Sequence, residues 1–81
     1  MKLPRDLSSD DLIKKLSELG YEVSRQTGSH IRLTTSENGT HQITIPAHNP
    51  LKTGTLSAIL GDIAVHLGIT KQDLLNRLMQ G

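Results

Sequence analysis

The chain has no cysteine, no phenylalanine and no tryptophan, and a single tyrosine among its 81 residues. Without cysteine there is neither a disulfide nor a thiolate metal site, a composition compatible with the cytoplasm. Without the large aromatics, the core has to be assembled from Leu, Ile, Val and Ala. A chain of this size buries only about 60% of its unfolded surface, so a deep cofactor cavity is not expected. No stretch approaches the ~20 apolar residues that span a bilayer, so no membrane segment is expected. The N-terminal Met-Lys-Leu-Pro-Arg-Asp lacks the apolar run of a signal peptide, and the expected location is cytoplasmic. Charge of one sign is also missing: nine Lys and Arg against eight Asp and Glu leave a formal net charge of +1. A domain that holds nucleic acid by bulk charge is strongly basic. Any such contact here has to be local.

What is present reads as one domain over residues 1–81, without repeats, linkers or low-complexity segments. Residues 1–7 form a short lead. Ser8 or Ser9 can cap a helix, and Asp10 and Asp11 suit its positive end. Leu12, Ile13, Leu16 and Leu19 then share one face, and Gly20 is a natural terminator, giving a helix over 9–19. Tyr21–Gln26 alternates, with Tyr21, Val23 and Arg25 on one side. A Thr27–Gly28 turn leads to Ser29–Thr35, where Ile31 and Leu33 point inward and His30, Arg32 and Thr34 outward. Asn38–Gly39 is a strong hairpin signal, because both residues tolerate positive φ. His41–Ile45 is the third strand, with Ile43 and Ile45 inward, stopped by Pro46. These strands predict an antiparallel meander with one buried face. From Thr53, Leu56, Ile59, Leu60, Ile63, Ala64 and Leu67 recur at helical spacing until Gly68. Thr70 and Asp73 resemble a capping box opening a last short helix, in which Leu74, Leu75, Leu78 and Met79 are apolar. The predicted class is α+β: helix, three-stranded antiparallel sheet, helix and a short C-terminal helix, with the helices on one side of the sheet.

The stretch Arg25–Gln26–Thr27–Gly28–Ser29–His30 carries more chemistry than a turn requires. It gathers a cation, an amide and an imidazole, the side chain whose ordinary pKa of about 6.5 lets it exchange a proton near neutrality. On local sequence alone, His30 reads equally well as an exposed strand histidine without a task. Gly28 permits a positive-φ turn and a close backbone approach. Ser29 reads better as part of the turn than as a phosphate ligand. His48 is read as anchoring the loop after Pro46, and His41 and His66 as incidental. The four histidines lie 11, 7 and 18 residues apart, which matches no familiar ligand pair, so no metal is expected. Thr53–Gly54–Thr55 opens a helix whose amides suit either a phosphate or simple capping. Lys52–Thr53–Gly54 lacks the Gly-rich frame of a nucleotide-binding loop, and no cofactor is expected.

In these residues the chain resembles the HicA toxin family, the RNA-cleaving half of HicA–HicB toxin–antitoxin pairs. The resemblance is carried by Gly20–Tyr21, the Arg25–His30 block, Ile45–Pro46–Ala47–His48, Leu51–Lys52–Thr53–Gly54–Thr55–Leu56 and Ile59–Leu60, and covers roughly residues 8–69. It implies a fold similar to a double-stranded-RNA-binding domain. It implies an endoribonuclease that cuts mRNA without a metal, with His30 as general acid or base. Arg25, Gln26, Gly28, Ser29, Arg32 and Lys52 would then contact RNA, and the implied partner is a HicB-type antitoxin laid over His30. Gly61–Gly68 is longer than in short family members and carries Asp62 where a basic residue is common. The alternative reading is a non-catalytic module that binds duplex RNA by shape or serves only protein interaction. The near-balanced charge speaks against the RNA-binding form.

Overall fold

A computed structural model describes residues 7–48 and 50–79; apart from Leu7, the N-terminal lead lies outside them. The elements are α1 (Ser9–Ser17), β1 (Glu22–Thr27), β2 (His30–Thr35), β3 (His41–Pro46), α2 (Thr53–Leu67) and α3 (Lys71–Met79). The strands form one antiparallel sheet in the order β1-β2-β3. Leu12 and Leu16 of α1, Leu56, Ile59, Leu60 and Ile63 of α2, and Leu74, Leu75 and Leu78 of α3 join Ile31, Leu33, Ile43 and Ile45 in a single core cluster. The helices thus cover one face of the sheet, the α+β arrangement expected for a double-stranded-RNA-binding-domain-like fold. Among the described residues no single helix is long and apolar enough to cross a membrane.

Local chemistry sets the helix ends. The Ser8 hydroxyl accepts the Asp11 N–H at 3.1 Å, so Ser8 rather than Ser9 is the cap, with Asp10 and Asp11 in the first turn. The helix stops at Ser17, two residues before the expected end. The chain there tightens into i→i−3 bonds, Leu19 N–H to Leu16 O at 2.9 Å and Gly20 N–H to Ser17 O at 3.2 Å. At α2 the N-cap is Lys52, whose side chain makes no capping bond. Thr53 and Gly54 lie within the first turn and do not cap it, which removes simple capping as their task. Gly68 closes α2 in the left-handed region at φ 70°. Thr70 Oγ1 accepts the Asp73 N–H at 3.0 Å, the first half of the expected capping box. Lys15 Nζ donates to Leu78 O at 3.2 Å, so α1 holds the end of α3. Met79 was expected on the apolar stripe of α3 but is 54% exposed.

β1 departs furthest from the sequence pattern. Its six residues are all exposed, while Tyr21, just before it, is fully buried. Val23 pairs with Leu33 and Arg25 with Arg32, so Ser24 is an extra residue forming a β-bulge. Residues opposite each other share a face. Val23 therefore lies on the side of buried Leu33, and Arg25 on the outer side with Arg32. The expected grouping of Tyr21, Val23 and Arg25 on one side is broken at Ser24. Val23 remains 50% exposed, because β1 is an edge strand at the border of the helical cover.

His41 and His66, read from sequence as incidental, hold the other end of the sheet. Their rings stack with centroids 4.3 Å apart and 11° between planes. His41 Nε2 lies 3.3 Å from Asp62 Oδ1, and Nδ1 lies 2.7 Å from the Tyr21 hydroxyl. The carboxylate can only accept, so Nε2 carries a proton, and in the neutral ring Nδ1 accepts from the phenol. His66 Nε2 donates to Glu37 O at 2.9 Å, and Asn38 Nδ2 donates to His66 O at 2.8 Å. The loop between β2 and β3, built on Asn38 at φ 57° and Gly39 at φ 94°, is thereby fastened to α2. Asp62, through its contact with His41, is one of the fasteners.

Burial, and secondly the charge of Asp62, push the Tyr21 phenol from 10.0 up to about 12. The unfolded chain releases this proton first, so the associated stability is fully present below pH 10 and is lost as pH rises toward 12. Denaturant unfolding between pH 9 and 12 is expected to show this decline, and Tyr21→Phe to flatten it while lowering stability near neutrality.

Candidate active site

The outer face of the sheet follows from the pleat of β2. Ile31 and Leu33 are buried, so their neighbours His30 and Arg32 stand on the solvent side. Thr27 pairs with His30, Arg25 with Arg32, and Thr44 with Arg32. These five side chains, Arg25, Thr27, His30, Arg32 and Thr44, line one shallow depression. Two guanidiniums and an imidazole thus converge beside two hydroxyls. Among the described residues no carboxylate pairs with a lysine or an arginine, so neither guanidinium is neutralised by one.

The turn that presents His30 is Gly28–Ser29 rather than Thr27–Gly28, since Thr27 still pairs with His30. Positive φ occurs at Gly28, 55°, and not at Ser29, the sign pattern of a type II′ hairpin. A Cβ on Gly28 would meet no atom within 4 Å, so its glycine serves backbone conformation and not packing. Ser29 O accepts the Ala47 N–H at 2.7 Å. That bond ties the turn to the segment after β3 and fixes the start of β2. Ser29 acts here through its backbone.

The residues expected at the site divide into two groups. Arg25, His30 and Arg32 come together. Gln26 pairs with Ile31 and therefore lies toward the opposite face. Gly28 and Ser29 form the adjacent turn. Lys52 is exposed at the start of α2 and does not line the depression. His48 is also outside it; its backbone does the anchoring, accepting the Ser9 N–H at 3.1 Å and donating to Pro46 O at 2.9 Å. Thr44 and Thr27 are additions to the sequence reading. Thr44 was legible from its place between inward Ile43 and Ile45, whereas Thr27 required knowing that the turn begins one residue later. Among the described residues, no three His, Cys, Asp or Glu side chains are placed to hold a metal ion.

Chemically, the depression offers one proton-transfer group and two fixed positive charges. That set suits an anion with several oxygens undergoing proton-assisted bond cleavage. The family model described as HicA toxin of bacterial toxin-antitoxin matches residues 9–65, from the first residue of α1 nearly to the end of α2 and across every candidate site residue. Comparison with curated proteins and with solved structures gives no significant match.

Exposed polar side chains contribute little to stability, typically within about 0.5 kcal/mol. His30→Ala is therefore expected to keep the wild-type circular-dichroism spectrum and unfolding midpoint. A large loss of stability would show that His30 belongs to the fold and not to a site.

Proposed function

The chain belongs to the HicA toxin family, the toxins of bacterial toxin–antitoxin systems, and on that premise we propose that it is an endoribonuclease that cuts mRNA at His30. The observation that carries the reading is the convergence of His30 with Arg25 and Arg32 in one exposed depression. Cleavage of RNA at its own 2′-hydroxyl forms a bond from the 2′-oxygen to phosphorus and breaks the bond to the 5′-oxygen. The 2′-oxygen must lose a proton and the 5′-oxygen must gain one. His30 performs one of these transfers and water the other. Arg25 and Arg32 hold the phosphate oxygens and stabilise the charge that builds on them. A positioned acid or base contributes about 10²–10⁴-fold. The residues themselves supply this chemistry, so no metal is required. An mRNA-cleaving toxin acts in the cytoplasm.

Induced expression tests this directly. Wild type is expected to arrest growth and fragment mRNA; His30→Ala, with its fold intact, is expected to do neither. Purified wild type should cut RNA in EDTA as well as in magnesium. Cleavage by His30→Ala at the wild-type rate, or cleavage restored only by one metal, would remove the assignment.

Family membership implies an antitoxin, and we propose that it is of the HicB type and covers the outer face of the sheet. Arg25 and Arg32 offer an acidic or RNA-mimicking inhibitor two unneutralised charges, which would make association salt-sensitive. Arg32→Glu should weaken antitoxin binding more than tenfold. The control on the opposite side is Lys14→Glu, on an exposed position of α1; Lys15 is unsuitable because it holds the end of α3. Titration calorimetry on both variants separates the faces, and equal losses, or a loss at Lys14 alone, would contradict inhibition over His30.

A further inference from the structure

We propose that Ser24 is a positioning residue whose bulge aims Arg25 across the sheet at Arg32, so that the two guanidiniums grip one phosphodiester beside His30. The inference rests on reading the depression as an RNA site. Three observations carry it. Tyr21 and Arg25 are four residues apart and would share a face in a regular strand. Tyr21 is nonetheless fully buried and Arg25 lines the outer depression, and the alternation of the strand shifts at the bulge, where Ser24 faces no partner of its own on β2. The bulge is also pinned: Ser24 Oγ donates to Arg32 O at 3.3 Å and lies 2.8 Å from Thr34 Oγ1. It is thus fastened to the backbone of the arginine that Arg25 faces. Finally, like charges directly opposite on neighbouring strands are destabilising, and no described carboxylate relieves this pair. Two guanidiniums lining one depression offer their N–H donors to an anion with several oxygens, the class of ligand arginine recognises as a phosphate. A bulge that re-aims a side chain next to a site is a recurrent use of the extra residue.

Deleting Ser24 restores a regular ladder in which Val23 still pairs with Leu33 and Arg25 with Arg32. Arg25 then stays opposite Arg32 on the outer face, and what is lost is the local twist of the bulge and the fastening of Ser24 to Arg32 O and Thr34 Oγ1. The probe is a short 2′-O-methyl RNA, which cannot be cleaved through its 2′-oxygen, titrated against wild type, Ser24→Thr, the Ser24 deletion, Arg25→Ala and the combined variant. The deletion and Arg25→Ala are each expected to lose about tenfold in affinity and to lower the salt dependence by about one phosphate contact. Combining them should cost nothing further, and Ser24→Thr should bind like wild type. Wild-type binding by the deletion, additive losses in the combined variant, or dimerisation of the deletion as its sole change would overturn the proposal. The last of these would mean that the bulge only guards an open sheet edge. A second readout separates this inference from the ribonuclease reading: inorganic phosphate should shift the side-chain NMR signals of Arg25 and Arg32 together in wild type but not in the deletion. If that holds while wild type neither binds nor cuts RNA, the clamp stands and the RNA reading falls. If phosphate moves neither arginine in wild type, the clamp falls.

Discussion

Because successive side chains of a strand point to opposite faces, burying Ile31 and Leu33 under the helices forces His30 and Arg32 into solvent. Everything at the site depends on this pleat. β2 is the central strand, hydrogen-bonded on both sides, so its register is held by two ladders and by the core. A slip of one residue would bury His30 and Arg32 and expose Ile31 and Leu33. Exposing two such side chains costs about 1.5–3 kcal/mol each, before any charge is desolvated. The register is therefore decided by the core. The site inherits its register from the core, and the bond from Ala47 N–H to Ser29 O only fastens the end of the strand.

The two ends of the sheet divide the polar work. At the loop end, Tyr21, His41, Asp62 and His66 are hydrogen-bonded or stacked on one another and on the backbone of Glu37. They join β3 and the start of β1 to α2, a structural task that leaves their groups committed. At the turn end, His30, Arg25 and Arg32 are exposed and unneutralised among the described residues. Groups left unsatisfied by the fold are those available to a ligand. This asymmetry, more than the identity of any single histidine, distinguishes His30 from His41 and His66.

The helices, β2 and β3 were legible because each has one buried face, and a repeating apolar pattern records it. Leu56, Ile59, Leu60 and Ile63 announced α2, and Ile43 and Ile45 announced β3. What escaped was whatever the pattern does not record. Nothing in Val23–Ser24–Arg25 marks a bulge, since an exposed edge strand carries no apolar period to be interrupted. The His41–His66 stack joins residues 25 positions apart in sequence, and neither lies at a spacing that suggests a pair. The early end of α1 was hidden for another reason: Leu19 continues the apolar stripe and packs partly buried on the core without being helical. The family block around His30 singled out the imidazole and the alternation of β3 left Thr44 legible, but Thr27 came only with the register, and Gln26 was turned away by it.

A near-balanced chain with two arginines and one histidine in its site also constrains how such a toxin would be controlled. RNA affinity grows with the number of phosphates neutralised, and a depression of this size reaches only one or two of them. By counterion release, that supports weak, non-saturating binding at cellular salt. A protein partner is under no such limit: a standard interface buries about 800 Å² on each side and draws on apolar and hydrogen-bonded contacts as well as charge. On the proposed reading, then, weak hold on substrate is not a defect of the site. It leaves turnover to the positioned imidazole, and it lets an antitoxin displace RNA by adding apolar and hydrogen-bonded contacts to those it makes with Arg25 and Arg32.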